Sequence, residues 1–337
     1  MWSAGAGWRL LVAAAALALV LVVAYQLRLI VVPTIAALAL STGLRPLVGW
    51  LKSKGWPALL ATWVVLLGVV GALVGLIALL SAPLGNQFAA LGPDLRQAVD
   101  NIESWLTTGP LNLSPQALDA YVATAIEQIQ ANASGIGLGL LTGAYLAVEI
   151  VAGILLTLVL LFFFVKDGDR MKEWAAGHLT EGRRPAARAV LDRIGKTLGA
   201  YLRGTALVGI VNGVVIGTGL ALIGVPLVLL LAVITFFGAF FPLIGATVAG
   251  LLAALLALVS GGPIDALLVV ALVVVVQQVE GDVLSPLVMG RALRLHPVVI
   301  LLALTAGAIA AGLLGALLAV PLTGVTVAAV DEWRVQR

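Results

Sequence analysis

Long apolar runs separated by short polar segments make up most of the 337-residue chain. A helix crossing hydrocarbon needs about 20 apolar residues at 1.5 Å each. Residues 8–25, 29–44, 58–80, 138–165 and 204–223 form runs of about that length. The first two follow one another so closely that they predict an anchored hairpin, with Gln26 and Arg28 at its outer tip, rather than a cleaved leader. Further apolar runs occupy 227–241, 243–259, 264–276 and 298–330. Two intervening segments are polar but periodic. In 81–137, Leu95, Val99, Ile102 and Leu106 recur at helical spacing, as do Leu118, Val122, Ile126 and Ile129, which predicts two amphipathic helices. After Pro185, Leu191, Ile194, Leu198 and Tyr201 line one face of another, with Arg184, Arg188, Arg193 and Lys196 along it. That pattern suits either a helix lying on an anionic leaflet or a solvated basic segment.

Two apolar stretches have the wrong length. Residues 227–259 are interrupted by Pro242, and 298–330 contain Gly307, Gly312 and Gly315 with Pro321 near the end. As one straight helix each would be about 50 Å long, and cut in half each piece falls slightly short of a crossing. Such interrupted segments predict broken or re-entrant helices hinged at Pro242, Gly245, Pro286, Gly312, Gly315 and Pro321; tight full hairpins are the alternative.

Composition places the whole chain in one class. It is 62% hydrophobic and only 10% charged, with mean hydropathy +1.15, against about 25% charge in soluble domains. The fold class expected is an all-α polytopic membrane protein of about eight segments, with amphipathic helices outside the membrane. Its linear parts are 1–80 (three spans), 81–137 (outer), 138–165 (fourth span), 166–203 (basic inner segment) and 204–337 (C-terminal core). A net charge of +3 spread over several loops indicates no nucleic-acid partner. With no cysteine and only His178 and His296, neither a metal site nor another cofactor is expected. Segment 81–137 holds five acids and one base, whereas 166–203 holds nine bases and five acids. With Arg45, Lys52 and Lys54, this places the basic loops and the N-terminus inside.

Polar residues within the spans are few. Glu149 interrupts the fourth span and is either on a transport path or held between helices for packing. Asn212 sits within the glycine stripe Gly209, Gly213, Gly217, a pattern of close helix contact. Gln277, Gln278, Glu280 and Asp282 cluster at the end of 264–276. They are candidates to bind a proton, a small cation or a polar solute; an ordinary solvated helix end is the alternative.

Gln277-Gln278-Val279-Glu280-Gly281-Asp282-Val283-Leu284-Ser285-Pro286, Met289-Gly290, Leu295-His296-Pro297 and Ala319-Val320-Pro321-Leu322 resemble the autoinducer-2 exporter family of bacterial permeases. Lys166-Asp167-Gly168, Tyr201-Leu202-Arg203-Gly204, Gly224-Val225-Pro226 and Phe241-Pro242-Leu243-Ile244-Gly245 extend the likeness, which is strong from about residue 160 onward. Thr205 departs from a common glutamine, and Phe241 from an isoleucine. The resemblance implies about eight membrane segments, both termini cytoplasmic, residence in the bacterial inner membrane and a homo-oligomer.

It also implies transport of small molecules or ions. Three functions then compete. One is a secondary transporter or facilitator exporting a small polar solute of the autoinducer-2 type. Another is a sodium/proton antiporter, and the third is a non-transporting scaffold. No HExxH motif supports an enzyme, and Val190 stands where a phosphate-binding loop ending at Gly195-Lys196-Thr197 needs its first glycine.

Overall fold

The computed structural model describes residues 25–81, 139–242, 244–284 and 296–335, with scattered positions between 8 and 23. Most of the first apolar run, the two helices expected in 81–137 and Pro286 lie outside the described residues. The described elements are all helical: α1 (Arg28–Ser53), α2 (Ala58–Ser81), α3 (Gly139–Gly177), α4 (Arg184–Ile223), α5 (Val228–Gly238), α6 (Ile244–Gly261), α7 (Pro263–Val279) and α8 (Pro297–Val335). A 3-10 turn, Glu181–Arg183, precedes α4, and a π-turn, Glu280–Leu284, ends α7. Seven of the described helices are long and apolar enough to cross a membrane, and α5, at 11 residues, is not. The protein is an all-α polytopic membrane protein.

Helices suit this solvent because lipid offers no partner to a free backbone amide or carbonyl. The hydroxyls obey the same rule. Thr34, Thr62, Thr157, Thr218 and Thr305 each donate to the carbonyl four residues earlier, at 2.7–2.9 Å. The outward faces are apolar, with Leu222 85% and Ile309 79% exposed, the reverse of a soluble surface.

The break between the first two runs falls at Leu27, whose N–H bonds Val23 and whose carbonyl accepts from Val31. The 39-residue α3 and 40-residue α4 are each about 60 Å long, twice the hydrocarbon thickness. Their polar ends therefore extend past the hydrocarbon. The helix expected after Pro185 is not a separate element. The basic stretch is the first half of α4 and runs unbroken into the fifth span. Its apolar face is already covered: Leu198 and Tyr201 are buried, and Leu198 packs with Ala39 of α1 and Leu318 of α8. Lys172 pairs with Asp192 at 2.6 Å and Arg188 with Glu173, clipping the end of α3 to the start of α4. Arg184 donates to the last carbonyl of α3, that of Gly177, and to that of Leu179 just beyond it.

The chain divides into two compact units. One comprises Met1–Val65, Ala147–Leu202 and Ala292–Arg337; the other comprises Leu66–Leu146 and Arg203–Arg291. These units cut across the linear segments 1–80 and 204–337. Each contains one hairpin built on touching glycines. In the first, α8 is interrupted at Ala311 (φ −147°, ψ 27°) and Gly312 (φ 59°, ψ −142°). The backbones of Gly307 and Gly315 meet across that break, so the chain reverses there; in a continuous helix they would lie about 12 Å apart. Pro321 stands inside unbroken helix and is not a hinge. In the second unit the chain turns over residues 239–242, and Gly238 of α5 touches Gly245 of α6. The core of this unit joins Leu220 of α4, Leu231 of α5, Ala253 and Ala257 of α6, and Val269 of α7.

Candidate functional site

The glycine stripe of α4 sets the geometry of the second unit. A Cβ on Gly209 would lie 2.8 Å from the Phe236 carbonyl, one on Gly213 2.9 Å from that of Ala232, and one on Gly217 3.0 Å from the Ala232 side chain. Only glycine lets α5 approach this closely, as the spacing predicts. Asn212 lies on this stretch of α4. It is 4% exposed, and its side-chain amide donates to the Glu280 carboxylate at the start of the π-turn.

Both residues line a cavity of about 50 Å³, whose polar lining comes from Asn212, Thr235, Gln277 and Glu280. Gly238 and Pro242, at the turn between α5 and α6, form part of its wall. Thr235 is buried and gives its proton to the Leu231 carbonyl, leaving its lone pairs free. Glu280 is the one ionisable group in this lining, and its partner is a neutral amide. Glu280 itself is half-buried.

The cavity sits where α5 turns into α6 and where α7 passes into its π-turn. Asn212 is about 17 Å along α4 from Ile223, Pro242 follows a helix of about 16 Å, and Glu280 is about 26 Å from the start of α7. The helix continues through the π-turn to Leu284, so Glu280 is four residues from the end of that segment. A π-turn in a membrane helix is itself a common feature of functional sites.

The other polar residues singled out in the sequence do not converge here. Gln278 and Asp282 are exposed and do not line the cavity. Glu149 belongs to the other unit, is half-buried, and makes no hydrogen bond or ion pair among the described residues. Thr235 and Gly238 carried no mark in the sequence beyond their place in an apolar run. A threonine or a glycine one or two turns before Phe241-Pro242 is the signal that could have found them. His178 bonds the Trp174 carbonyl at 2.8 Å, and His296 accepts the Val298 N–H at 3.3 Å to cap α8.

Several helices long enough to span and two glycine-crossed hairpins define a polytopic membrane protein with a small polar cavity. The chain belongs to the AI-2E transporter family, whose model matches residues 14–335. It is 38% identical over 314 residues to MT0215 of Mycobacterium tuberculosis, a candidate transport protein, covering 93% of this chain and 86% of that one. YrrI of Bacillus subtilis, also a candidate transport protein, is 31% identical over 317 residues, covering 89% and 85%. The AI-2 transport protein TqsA of Escherichia coli K12 is 28% identical over 304 residues, covering 90% and 86%. The protein is therefore a membrane transporter.

Proposed function

We propose that the protein is a secondary transporter or facilitator that exports a small polar solute across the bacterial inner membrane. Both termini are cytoplasmic in this reading, and the assembly is a homo-oligomer. The observation that carries it is the Asn212–Glu280 bond in the lining of a polar cavity beside the Pro242 turn. At about 50 Å³ the cavity has room for a few waters, below the several hundred Å³ of sites that enclose organic ligands. The arrangement is a closed state. Asn212–Glu280 is its latch, and movement of α5 against α6 at the Gly238–Gly245 crossing opens it. The relative's name assigns AI-2 to TqsA, so furanosyl diols belong in the first solute panel here.

Flux into proteoliposomes, with and without a pH gradient, tests the reading. Glu280→Gln lowers flux about tenfold or more, whereas Asp282→Asn changes it by less than about twofold. Unchanged flux in Glu280→Gln refutes the assignment. A second reading, sodium/proton exchange, is favoured by Glu280 being the one ionisable group in the polar lining. A sodium-dependent dequenching of a pH dye in inverted vesicles, lost in Glu280→Gln, would select it; no response to sodium removes it.

A further inference from the structure

The ends of α1 and α3 and the start of α4 lie together, tied by Arg45–Asp169 at 3.2 Å and Lys172–Asp192 at 2.6 Å. Residues 45–54 and 166–196 carry eleven basic side chains and five acids, a surplus of six positive charges where the whole chain has a net +3. The ion pairs use up every one of those acids. Asp167 pairs with Lys166 and Arg170, Asp169 with Arg45 and Lys172, Glu173 with Arg188, Glu181 with Arg184, and Asp192 with Lys172. Lys52, Lys54, Arg183, Arg193 and Lys196 are left exposed, with no carboxylate partner among the described residues. A solvated loop obeying the orientation rule needs no such internal neutralisation, because water would screen each charge separately. Here the acids serve the fold and the surplus faces outward.

The same end carries exposed tryptophans: Trp50 is 56% exposed, Trp56 43% and Trp174 70%. Lys54 lies 3.9 Å over the Trp50 ring. Tryptophan at a helix end marks the headgroup level of a bilayer, where its ring is half in hydrocarbon and its N–H is wet. A cation beside such a ring, as Lys54 is, stands near the depth of phosphate groups. The field is already felt locally, since the carboxyl of Asp192 is held below the usual range, first by its hydrogen bond from Lys172 and then by the charges of Lys172, Lys196 and Arg45.

We propose that this tryptophan-ringed basic surface, with Arg183, Arg193, Lys196, Lys52 and Lys54 as its free cations, is a binding surface for anionic phospholipid headgroups. It fits lipid better than a soluble anion because the charges are spread along the end of α1 and the start of α4 rather than gathered into a pocket. The expected consequence is a shell of anionic lipid that fixes how deep these helix ends sit.

The full chain reconstituted in phosphatidylcholine bilayers tests this through quenching of its own tryptophans by brominated phosphatidylglycerol or brominated phosphatidylcholine. The acyl chains are identical, so only the headgroup differs. Wild type prefers the anionic lipid, and each free cation removed lowers that preference about fivefold at low ionic strength. Arg193→Gln with Lys196→Gln therefore lowers it by more than tenfold. Arg28→Gln, at the opposite end of α1 and about 39 Å away along the helix, leaves it unchanged. Quenching by the neutral brominated lipid stays constant in a folded, inserted variant. Equal quenching by both headgroups, or a preference that survives the double substitution, overturns the proposal. So does a preference abolished by inorganic phosphate but not by chloride of equal ionic strength, which would make the surface a site for soluble phosphate. None of these outcomes depends on which solute the protein carries.

Discussion

Gly245→Ala tests the hairpin on which the site depends. A Cβ on Gly245 would fall inside the carbonyl group of Gly238, and the obstruction is backbone that cannot rotate away. Carbon contacts need about 3.5 Å, so the α5–α6 crossing must open by roughly 1 Å or more. Overpacking of this kind costs about 1–3 kcal/mol, and rigid backbone on both sides puts the cost at the upper end. Unfolding in mixed micelles of increasing dodecyl sulfate, followed by tryptophan fluorescence, measures it. The control is Gly49→Ala, a helical position with nothing within 4 Å, where lost backbone freedom in the unfolded chain stabilises by about 0.4–1 kcal/mol. The two substitutions are chemically identical and opposite in sign. Because Gly238 lines the cavity, Gly245→Ala also lowers solute flux. If Gly245→Ala is as benign as Gly49→Ala, the crossing is not tight and the hinge argument fails.

Gly315→Ala repeats the experiment at the α8 break, where the Gly307 backbone is the obstacle, and destabilises by a similar 1–3 kcal/mol in the same titration. Thr205 is 1% exposed, and its hydroxyl has no hydrogen-bond partner among the described residues. Thr205→Val is therefore neutral or stabilising, and a loss of more than about 1 kcal/mol would show that the hydroxyl has a partner in the membrane. The Asp192 carboxyl is held below its ordinary range chiefly by Lys172. Its folded value is thus lower than its unfolded one, and its contribution to the α3–α4 clip is present above the unfolded value and lost as pH falls through the folded one. Hydrogen exchange at 178–183 should accelerate over that acid window, and Asp192→Asn should remove the pH dependence.

What could be read from the sequence follows from how local each feature is. Apolar runs and the positions of glycine and proline depend on neighbours in the chain, so the end of α4 at Ile223 and the breaks near Pro242 and Gly312 were legible. The continuity of α4 was not. Charge marked a membrane boundary near residue 203, but helical hydrogen bonds are internal and do not stop where the solvent changes. Pro321 looked like a hinge, yet proline sits inside α1 at Pro33 and Pro46 as well as in α8 without dividing either. Gln278 and Asp282 are neighbours of Gln277 and Glu280 in the chain, but they are exposed and do not line the cavity. Asn212 and Glu280 are 68 residues apart, and no periodicity couples them. Only the packing of α4 against α5 and the turn at Pro242 brings them together.

The latch can be tested most directly by access to the cavity it closes. The chain has no cysteine, so Ala249→Cys, at a lining position 4% exposed, gives a single reporter thiol. A hydrogen bond to a charged group contributes about 1.5–3 kcal/mol, so Asn212→Leu should speed labelling by a small maleimide about 10- to 100-fold. Asp282→Asn, outside the cavity, should leave the rate unchanged. Equal labelling rates with and without Asn212 would mean that the Asn212–Glu280 bond closes nothing.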